Sequence, residues 1–129
     1  MAQLERLAPS WVVGAHGVAM LQAWTEPVVQ TWLAGSLASL REWKARQIAL
    51  CESLDWTCLP SDTNFFCARP ALPQGMGLQQ ALGRVRAQGI KLRDCASFGL
   101  PGHVRLSVMP LAAQDALHHA WQCLKKEAS

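Results

Sequence analysis

Hydrophobic residues recur at spacings of mostly three or four through the first half of the chain. They are Val29, Leu33, Leu37, Leu40, Trp43, Ile48, Cys51 and Leu54. Charged side chains such as Arg41, Glu42 and Lys44 lie between them. This period is typical of an α-helix with one apolar face, so we predict one long amphipathic helix over Pro27–Leu54. At 1.5 Å per residue it would span about 40 Å, enough to bridge two domains or to brace a sheet.

The residues before this helix carry weaker signals. Apolar residues at helical spacing predict a short helix over Val18–Trp24. Thr25 is a candidate N-cap for the long helix, because Pro27 would then lie in its first turn. The first ten residues show no period, and we predict that residues 1–10 form a tail or a linker.

Four short runs in the second half of the chain have the composition of strands and are bounded by turn residues. They are Trp56–Leu59, Asn64–Arg69, Ile90–Arg93 and His103–Val108. The Asn64–Arg69 run is nearly all apolar, which predicts a strand that is covered on both faces. Helical spacing predicts a helix over Leu78–Ala87, ended by Gly89, and a last helix that opens at Pro110.

The predicted order of elements is therefore α, α, β, β, α, β, β, α. This order fits an α+β fold, a small and mostly antiparallel sheet with helices packed on one face, preceded by the long helix. A chain of 129 residues is typical of one domain, which we place at residues 11–129.

The strand over His103–Val108 offers the clearest candidate binding residue. Val104 and Leu106 alternate with Arg105, so the arginine points away from the apolar face of the sheet. A guanidinium group held by a strand suits the planar, two-point recognition of a carboxylate. A solvated strand arginine without a ligand has the same pattern, and alternation alone favours that simpler interpretation.

Composition excludes several classes of function. The net charge is only +3 and the basic residues are scattered, so nucleic-acid binding is not expected. No apolar run reaches the roughly 18 residues of a membrane helix, and the start of the chain lacks the pattern of a signal peptide. We therefore expect a cytoplasmic protein with no membrane partner.

The residues that usually carry metals or nucleophiles are not grouped in this sequence. The five cysteines include no C-x-x-C pair, so we expect reduced thiols and neither a disulfide framework nor a metal site. His118 and His119 are adjacent and would point about 100° apart on a helix. Cys95 has no histidine partner in view and is expected to be inert. We predict no catalytic residue in this chain.

Two segments resemble a known family. They are Pro60–Phe66, read Pro-Ser-Asp-Thr-Asn-Phe-Phe, and Arg93–Ser107, read Arg-Asp-Cys-Ala-Ser-Phe-Gly-Leu-Pro-Gly-His-Val-Arg-Leu-Ser. They look like the C-terminal small domain of class I/II aminotransferases, which are fold-type I enzymes dependent on pyridoxal 5'-phosphate (PLP). Within that family the chain looks most like threonine-phosphate decarboxylase of cobalamin biosynthesis, and next like histidinol-phosphate aminotransferase. The resemblance runs from about Ala8 to Trp121.

The resemblance implies roles for three residues. An arginine at the position of Arg105 binds the α-carboxylate of the amino-acid substrate in this family. Asn64 matches a family asparagine near the active-site side of the small domain, and we expect a structural role for it sooner than a substrate contact. Arg93 is expected to help with a phosphate or a second anion. The implied partner is an amino acid or an amino-acid phosphate.

The catalytic centre of the family has no counterpart in this sequence. The resemblance implies a lysine in a Ser-x-x-Lys motif that carries PLP, yet no serine lies three positions before any of the lysines. They are Lys44, Lys91, Lys125 and Lys126. PLP is thus expected for the full-length family and not for this chain, which we interpret as a C-terminal portion or fragment, inactive alone.

Two hypotheses about the chain follow and stay open. As part of an enzyme, it would expose an apolar surface near Trp11, Trp24 and Trp32, and would self-associate or bind a large-domain partner. As a stand-alone module, it would bind a ligand or a protein through the face that carries Arg105. The sequence does not fix the substrate.

Overall fold

The structure is a computed structural model that describes residues 13–127. The chain forms two compact units, Met1–Ala38 and Ser39–Ser129. Each unit is considered by itself. Two sequence predictions, the tail at residues 1–10 and the contribution of Trp11 to an apolar surface, lie outside the described residues.

The first unit contains a short helix and the start of a long one. Helix α1 spans Ala15–Trp24, and helix α2 spans Pro27–Glu52 and continues into the second unit. The long predicted helix is therefore confirmed. Thr25 does not cap its start, because the Thr25 hydroxyl donates a hydrogen bond to the carbonyl oxygen of Gln22 at 2.8 Å and so closes the end of α1.

The second unit is a four-stranded antiparallel sheet with helices on one face. Its remaining elements are β1 (Thr57–Cys58), β2 (Phe65–Arg69), α3 (Leu78–Ala87), β3 (Arg93–Asp94), β4 (Val104–Ser107) and α4 (Leu111–Glu127). The strand order is β1-β2-β4-β3, and each neighbouring pair is antiparallel. The predicted α+β class and the predicted order of elements are confirmed.

The core lies between the sheet and the helices. Val104 and Leu106 of β4 are buried, and they pack with buried residues of α3 and α4 such as Val85 and Trp121. The Trp121 ring meets Trp56 edge-on, with ring centroids 4.6 Å apart. Full burial of a large apolar side chain contributes roughly 1.5–3 kcal/mol, so this layer fixes which face of β4 points outward.

The prediction that β2 is covered on both faces is wrong. Phe66 is 1% exposed, whereas Phe65 is 39% exposed and Arg69 is also exposed. Strand side chains alternate between faces, and the helices pack on only one of them in the described part of the chain. Phe65 lies on the open face of the sheet, where the centre of its ring is 5.3 Å from the guanidinium carbon of Arg105. The ring therefore makes a cation–π contact there and does not enter the core.

The predicted strand over Ile90–Arg93 is displaced toward the C-terminus. The strand pairs only through Arg93 and Asp94, and the backbone N–H of Ile90 donates instead to the carbonyl oxygen of Val85 at 3.1 Å. That bond is part of the C-terminal cap of α3, where Gly89 adopts the predicted left-handed conformation (φ +82°). The cap engages the N–H of Ile90, and pairing with β4 begins only at Arg93. Strand β3 is therefore only two residues long.

Among residues 13–127, none of the helices is both long enough and apolar enough to cross a membrane.

Candidate functional site

Two arginines face each other on the outer surface of the sheet, and we call them the arginine pair. Arg93 of β3 is the direct register partner of Arg105 of β4. The guanidinium carbons lie 5.5 Å and 5.6 Å, respectively, from the centre of the Phe98 ring. Like charges directly opposite in a sheet repel, and contact with an aromatic face offsets part of that cost. The arrangement gathers positive charge at one point.

The loop between the two strands sets the position of Phe98. A 3₁₀ turn spans Ala96–Phe98 and ends at Gly99, whose φ of +76° is a conformation that favours glycine. The Asp94 carboxylate accepts a hydrogen bond from the Ala96 N–H at 2.8 Å, and the Phe98 N–H donates to the Cys95 carbonyl at 2.9 Å. These bonds hold the ring beside both guanidinium groups.

No carboxylate neutralises the arginine pair within residues 13–127. Asp94, the nearest acid in sequence, accepts from the Ala96 N–H and from the Gln79 amide. The ion pairs of the second unit join other residues, Arg46 with Asp115 and Lys125 with Asp55. The arginine pair thus has free capacity for an anion, apart from the contact at 3.5 Å from Arg93 to the Ser97 hydroxyl.

A groove of about 730 Å³ opens beside the arginine pair, and we call it the β3–β4 groove. It runs between β4 and residues 88–93, where β3 has not yet begun to pair. Its cations are Lys91, Arg93 and Arg105, and its lining contains no acidic residue. Apolar side chains form much of the rest, among them Ile90, Leu92, Leu106, Met109 and Leu117. The volume is typical of small-molecule sites.

Of the predicted site residues, the structure brings two together and leaves one apart. Arg93 and Arg105 line the β3–β4 groove, whereas Asn64 does not. Asn64 precedes β2, and its carbonyl oxygen accepts a hydrogen bond from the Val108 N–H at 2.8 Å. Val108 lies three positions after Arg105, which corresponds to about 10 Å in extended chain. Through its backbone, Asn64 extends the pairing of β2 with β4.

Sequence reasoning missed the aromatic residues at the site. Phe98 lies in a loop of the predicted hairpin and Phe65 in a run that predicts a buried strand, so neither pattern points to the arginines. The alternation of β2 was a usable signal, because it places Phe65, Cys67 and Arg69 on one face. Arg105 was already assigned to the outer face of the neighbouring strand, so pairing β2 with β4 would have placed Phe65 near it.

Two thiols flank the strand that carries Arg105. Cys67 of β2 is the register partner of Arg105, and its Sγ lies 3.8 Å from the Sγ of Cys95. Burial raises the pKa of the Cys95 thiol to about 11, with a smaller contribution from Cys67, so Cys95 stays protonated near neutral pH. Both cysteines are free thiols.

The two adjacent histidines of α4 diverge as the sequence predicted. His118 Nε2 lies 3.2 Å from the Ser53 hydroxyl, and His119 Nε2 lies 3.7 Å from the Cys123 sulfur. Over residues 13–127, no cluster of three or more metal-binding side chains is found.

The lysines do not fit the attachment of PLP. The Lys44 amine donates to backbone carbonyls, one of them that of Thr63 at 2.9 Å. The Lys125 amine lies 2.7 Å from the Asp55 carboxylate. The other two lysines are exposed, and none of the four lies in a Ser-x-x-Lys motif. No step through this cofactor is therefore assigned to the chain.

Residues 1–122 match the family model described as aminotransferase class I and II. A comparison with curated protein sequences finds no match.

Solved structures with the same fold come from two kinds of enzyme. Histidinol-phosphate aminotransferase from Clostridium acetobutylicum is 16% identical with a TM-score of 0.66, and the match covers 76% of this chain and 30% of that one. A decarboxylase from Sulfurospirillum multivorans is 15% identical with a TM-score of 0.75, over 92% and 33%. L-threonine-O-3-phosphate decarboxylase from Porphyromonas gingivalis is 19% identical with a TM-score of 0.53, over 67% and 28%. The chain thus spans about a third of these structures.

Proposed function

This chain belongs to the class I and II aminotransferase family, and on that premise we propose that Arg105 binds the carboxylate of an amino-acid substrate. The observation that carries the proposal is the exposed guanidinium group of Arg105, held between the Phe65 and Phe98 rings and without a carboxylate partner among the described residues. A guanidinium group oriented in this way can offer two parallel N–H donors to one carboxylate.

We propose Arg93 as the ligand of a second anion on the same substrate. Its position opposite Arg105 places both guanidinium carbons within 5.6 Å of the centre of the Phe98 ring, which suits an amino-acid phosphate. Two proteins of the same fold carry names that include a phosphorylated substrate, histidinol phosphate and L-threonine-O-3-phosphate. A role like that of threonine-phosphate decarboxylase in cobalamin biosynthesis is the specific form of this proposal. Asn64 is proposed to support the site through its bond to Val108.

The first experiment is a calorimetric titration with O-phospho-L-threonine. We expect Arg105→Leu to weaken binding by roughly 10-fold to 100-fold, because a charge-assisted hydrogen bond contributes about 1.5–3 kcal/mol. Arg69→Leu is the matched control, since Arg69 is exposed on the outer face of β2 and does not line the groove. Equal affinities for the two variants would refute the assignment of Arg105.

We further propose that this chain supplies the substrate-anion half of a site and that the PLP-bearing half belongs to a large domain. Enzymes of this family depend on PLP, and the contacts of Lys44 and Lys125 support the assignment of that cofactor elsewhere. The chain is then inactive by itself. A cytoplasmic location is part of the same proposal, supported by the five cysteines, all of which are free thiols.

A titration with PLP tests this assignment. We expect only weak and non-saturating changes in absorbance, because exposed lysines react with the aldehyde without a binding pocket. Lys91→Arg tests the lysine of the groove and keeps the charge. A saturable, stoichiometric band in the parent that disappears in Lys91→Arg would contradict the proposal and give Lys91 the role of the cofactor lysine.

A second candidate function is a stand-alone binding module. The observation that favours it is that residues of the second unit alone form the β3–β4 groove. A module of this kind would bind carboxylates with the same dependence on Arg105, but a large domain would not change its affinity. Titration in the presence of a separately expressed family large domain distinguishes the two candidates.

A further inference from the structure

We propose that the β3–β4 groove takes the apolar tail of an amphiphilic carboxylate whose head lies at the arginine pair. This inference rests on the proposed role of Arg105 and adds the chemical class of the ligand. A substrate with a short polar side chain would occupy only the charged end of a groove of about 730 Å³. An alkyl or aromatic tail would fill the remainder.

The groove exists because β3 begins late. The cap of α3 holds Ile90 through its N–H bond to Val85, and pairing with β4 starts only at Arg93. Ile90 and Leu92 therefore do not pair with β4 in the sheet. The groove between this segment and β4 is lined by the arginine pair and by Ala113, Ala116 and Leu117 of α4.

The two ends of the groove differ in chemistry. The arginine pair marks one end, Lys91 lies between Ile90 and Leu92, and no acidic residue lines the groove, so the groove is complementary to an anion. Deeper in the groove, Leu106 and Leu117 are 3% and 7% exposed, and Ile90 and Leu92 are partly buried. A ligand that carries a carboxylate on a hydrocarbon chain matches both ends.

The polar backbone groups at the far end of the groove already have partners. The buried Gln47 amide donates to the Ser107 carbonyl at 3.0 Å, and its oxygen accepts the N–H of Met109 at 3.0 Å. The Met109 carbonyl accepts a hydrogen bond from Gln114 at 2.7 Å. Because these groups are satisfied, a hydrocarbon tail can lie against this end without leaving a donor or an acceptor unpaired.

The test is a calorimetric titration with butanoate, hexanoate and octanoate. We expect affinity to rise by roughly threefold to fourfold for each added methylene that enters the groove, which corresponds to about 0.8 kcal/mol per methylene. Binding of all three with equal affinity, lost in Arg105→Leu, would overturn this inference and leave the carboxylate site intact. Octanoate binding that is unchanged in Arg105→Leu would overturn this inference, and so would the absence of binding by all three. The titration with O-phospho-L-threonine tests the proposed function separately.

A variant that fills the groove gives a second readout. Ala116 lines the groove from α4 and is exposed, so Ala116→Trp is expected to fold, to keep butanoate binding and to lose the gain with chain length. Ala112→Trp is the matched control, because Ala112 is exposed on the same helix and does not line the groove. An undiminished gain with chain length in Ala116→Trp would overturn the inference.

Discussion

Phe98 is the residue whose ring contacts both guanidinium groups of the arginine pair. Its ring is 55% exposed and lies within 5.6 Å of both guanidinium carbons. Cation–π contacts at exposed sites are worth about 0.5–1 kcal/mol each, which is comparable to the repulsion of a like-charged pair across two strands. The ring therefore allows two positive charges to lie on neighbouring strands at little net cost in free energy.

Cys51 is expected to make the free energy of unfolding fall as pH rises in the alkaline range. Burial raises the pKa of its thiol from about 9 to about 12, with smaller contributions from Cys58 and Glu52. The unfolded chain releases this proton near pH 9 while the folded chain retains it, so the unfolded state binds fewer protons and stability falls as pH rises from about 9 toward 12. One such group costs roughly 1.4 kcal/mol per pH unit within that window.

Urea unfolding at pH 8, 9.5 and 10.5 measures this dependence. We expect Cys51→Ala to be less stable than the parent at pH 8, because it leaves a small cavity, and to lose less stability per pH unit above pH 9. Cys123→Ala is the control for loss of a sulfur atom, taken from a partly exposed position of α4. Parallel pH profiles for the parent and Cys51→Ala would contradict the prediction.

The sequence predicted the orientation of a side chain correctly where the two-residue period of a strand determines it. The alternation of Val104, Arg105 and Leu106 was sufficient to place the guanidinium group on the outer face. Phe98 could not be predicted in this way, because its position depends on a 3₁₀ turn and on a bond to Cys95. Loop geometry of this kind leaves no periodic signal in the sequence.

At the level of elements, the helix cap and the strand compete for the same residues. Ile90, Lys91 and Leu92 have strand-like composition, yet the cap of α3 engages the N–H of Ile90. The bond occupies the backbone donor of Ile90, and pairing with β4 begins at Arg93. Composition alone cannot resolve this competition, and the groove depends on its outcome.

The long helix illustrates the opposite case. Its apolar period was sustained over more than six turns, and such long periodic segments are the elements that sequence predicts most reliably. The observed helix, Pro27–Glu52, ends two residues before the predicted end. There the chain turns at Asp55, which has a positive φ of 65°, and the Trp56 N–H returns to the Cys51 carbonyl at 3.1 Å.

At the level of the whole molecule, we propose that the first unit mediates self-association or contact with a large domain. Trp32 is 65% exposed, Leu21 is 62% exposed and Trp24 is 45% exposed within that unit. Leu21 and Trp24 line one apolar pocket together with Val13 and Met20, and an exposed apolar patch is typical of an interaction surface.

Light scattering at micromolar concentration tests this proposal. We expect the chain to be a dimer or a larger oligomer, and we expect Trp32→Gln to shift it toward the monomer. Leu72→Gln is the control, because Leu72 is an exposed apolar residue of the second unit. A monodisperse monomer of the parent chain would count against self-association.

The arginine pair and the ring between them come from one hairpin. Arg93 and Arg105 are 12 positions apart in the sequence, and Phe98 lies between them. The apolar end of the groove also needs α4, which begins later, at Leu111. Contacts of short sequence separation close at a small entropic cost, so the charged end can form early in folding, before α4 has docked. Both guanidinium groups and the Phe98 ring thus come from one continuous segment, residues 93–105, and the Phe65 ring of β2 completes the contacts of Arg105.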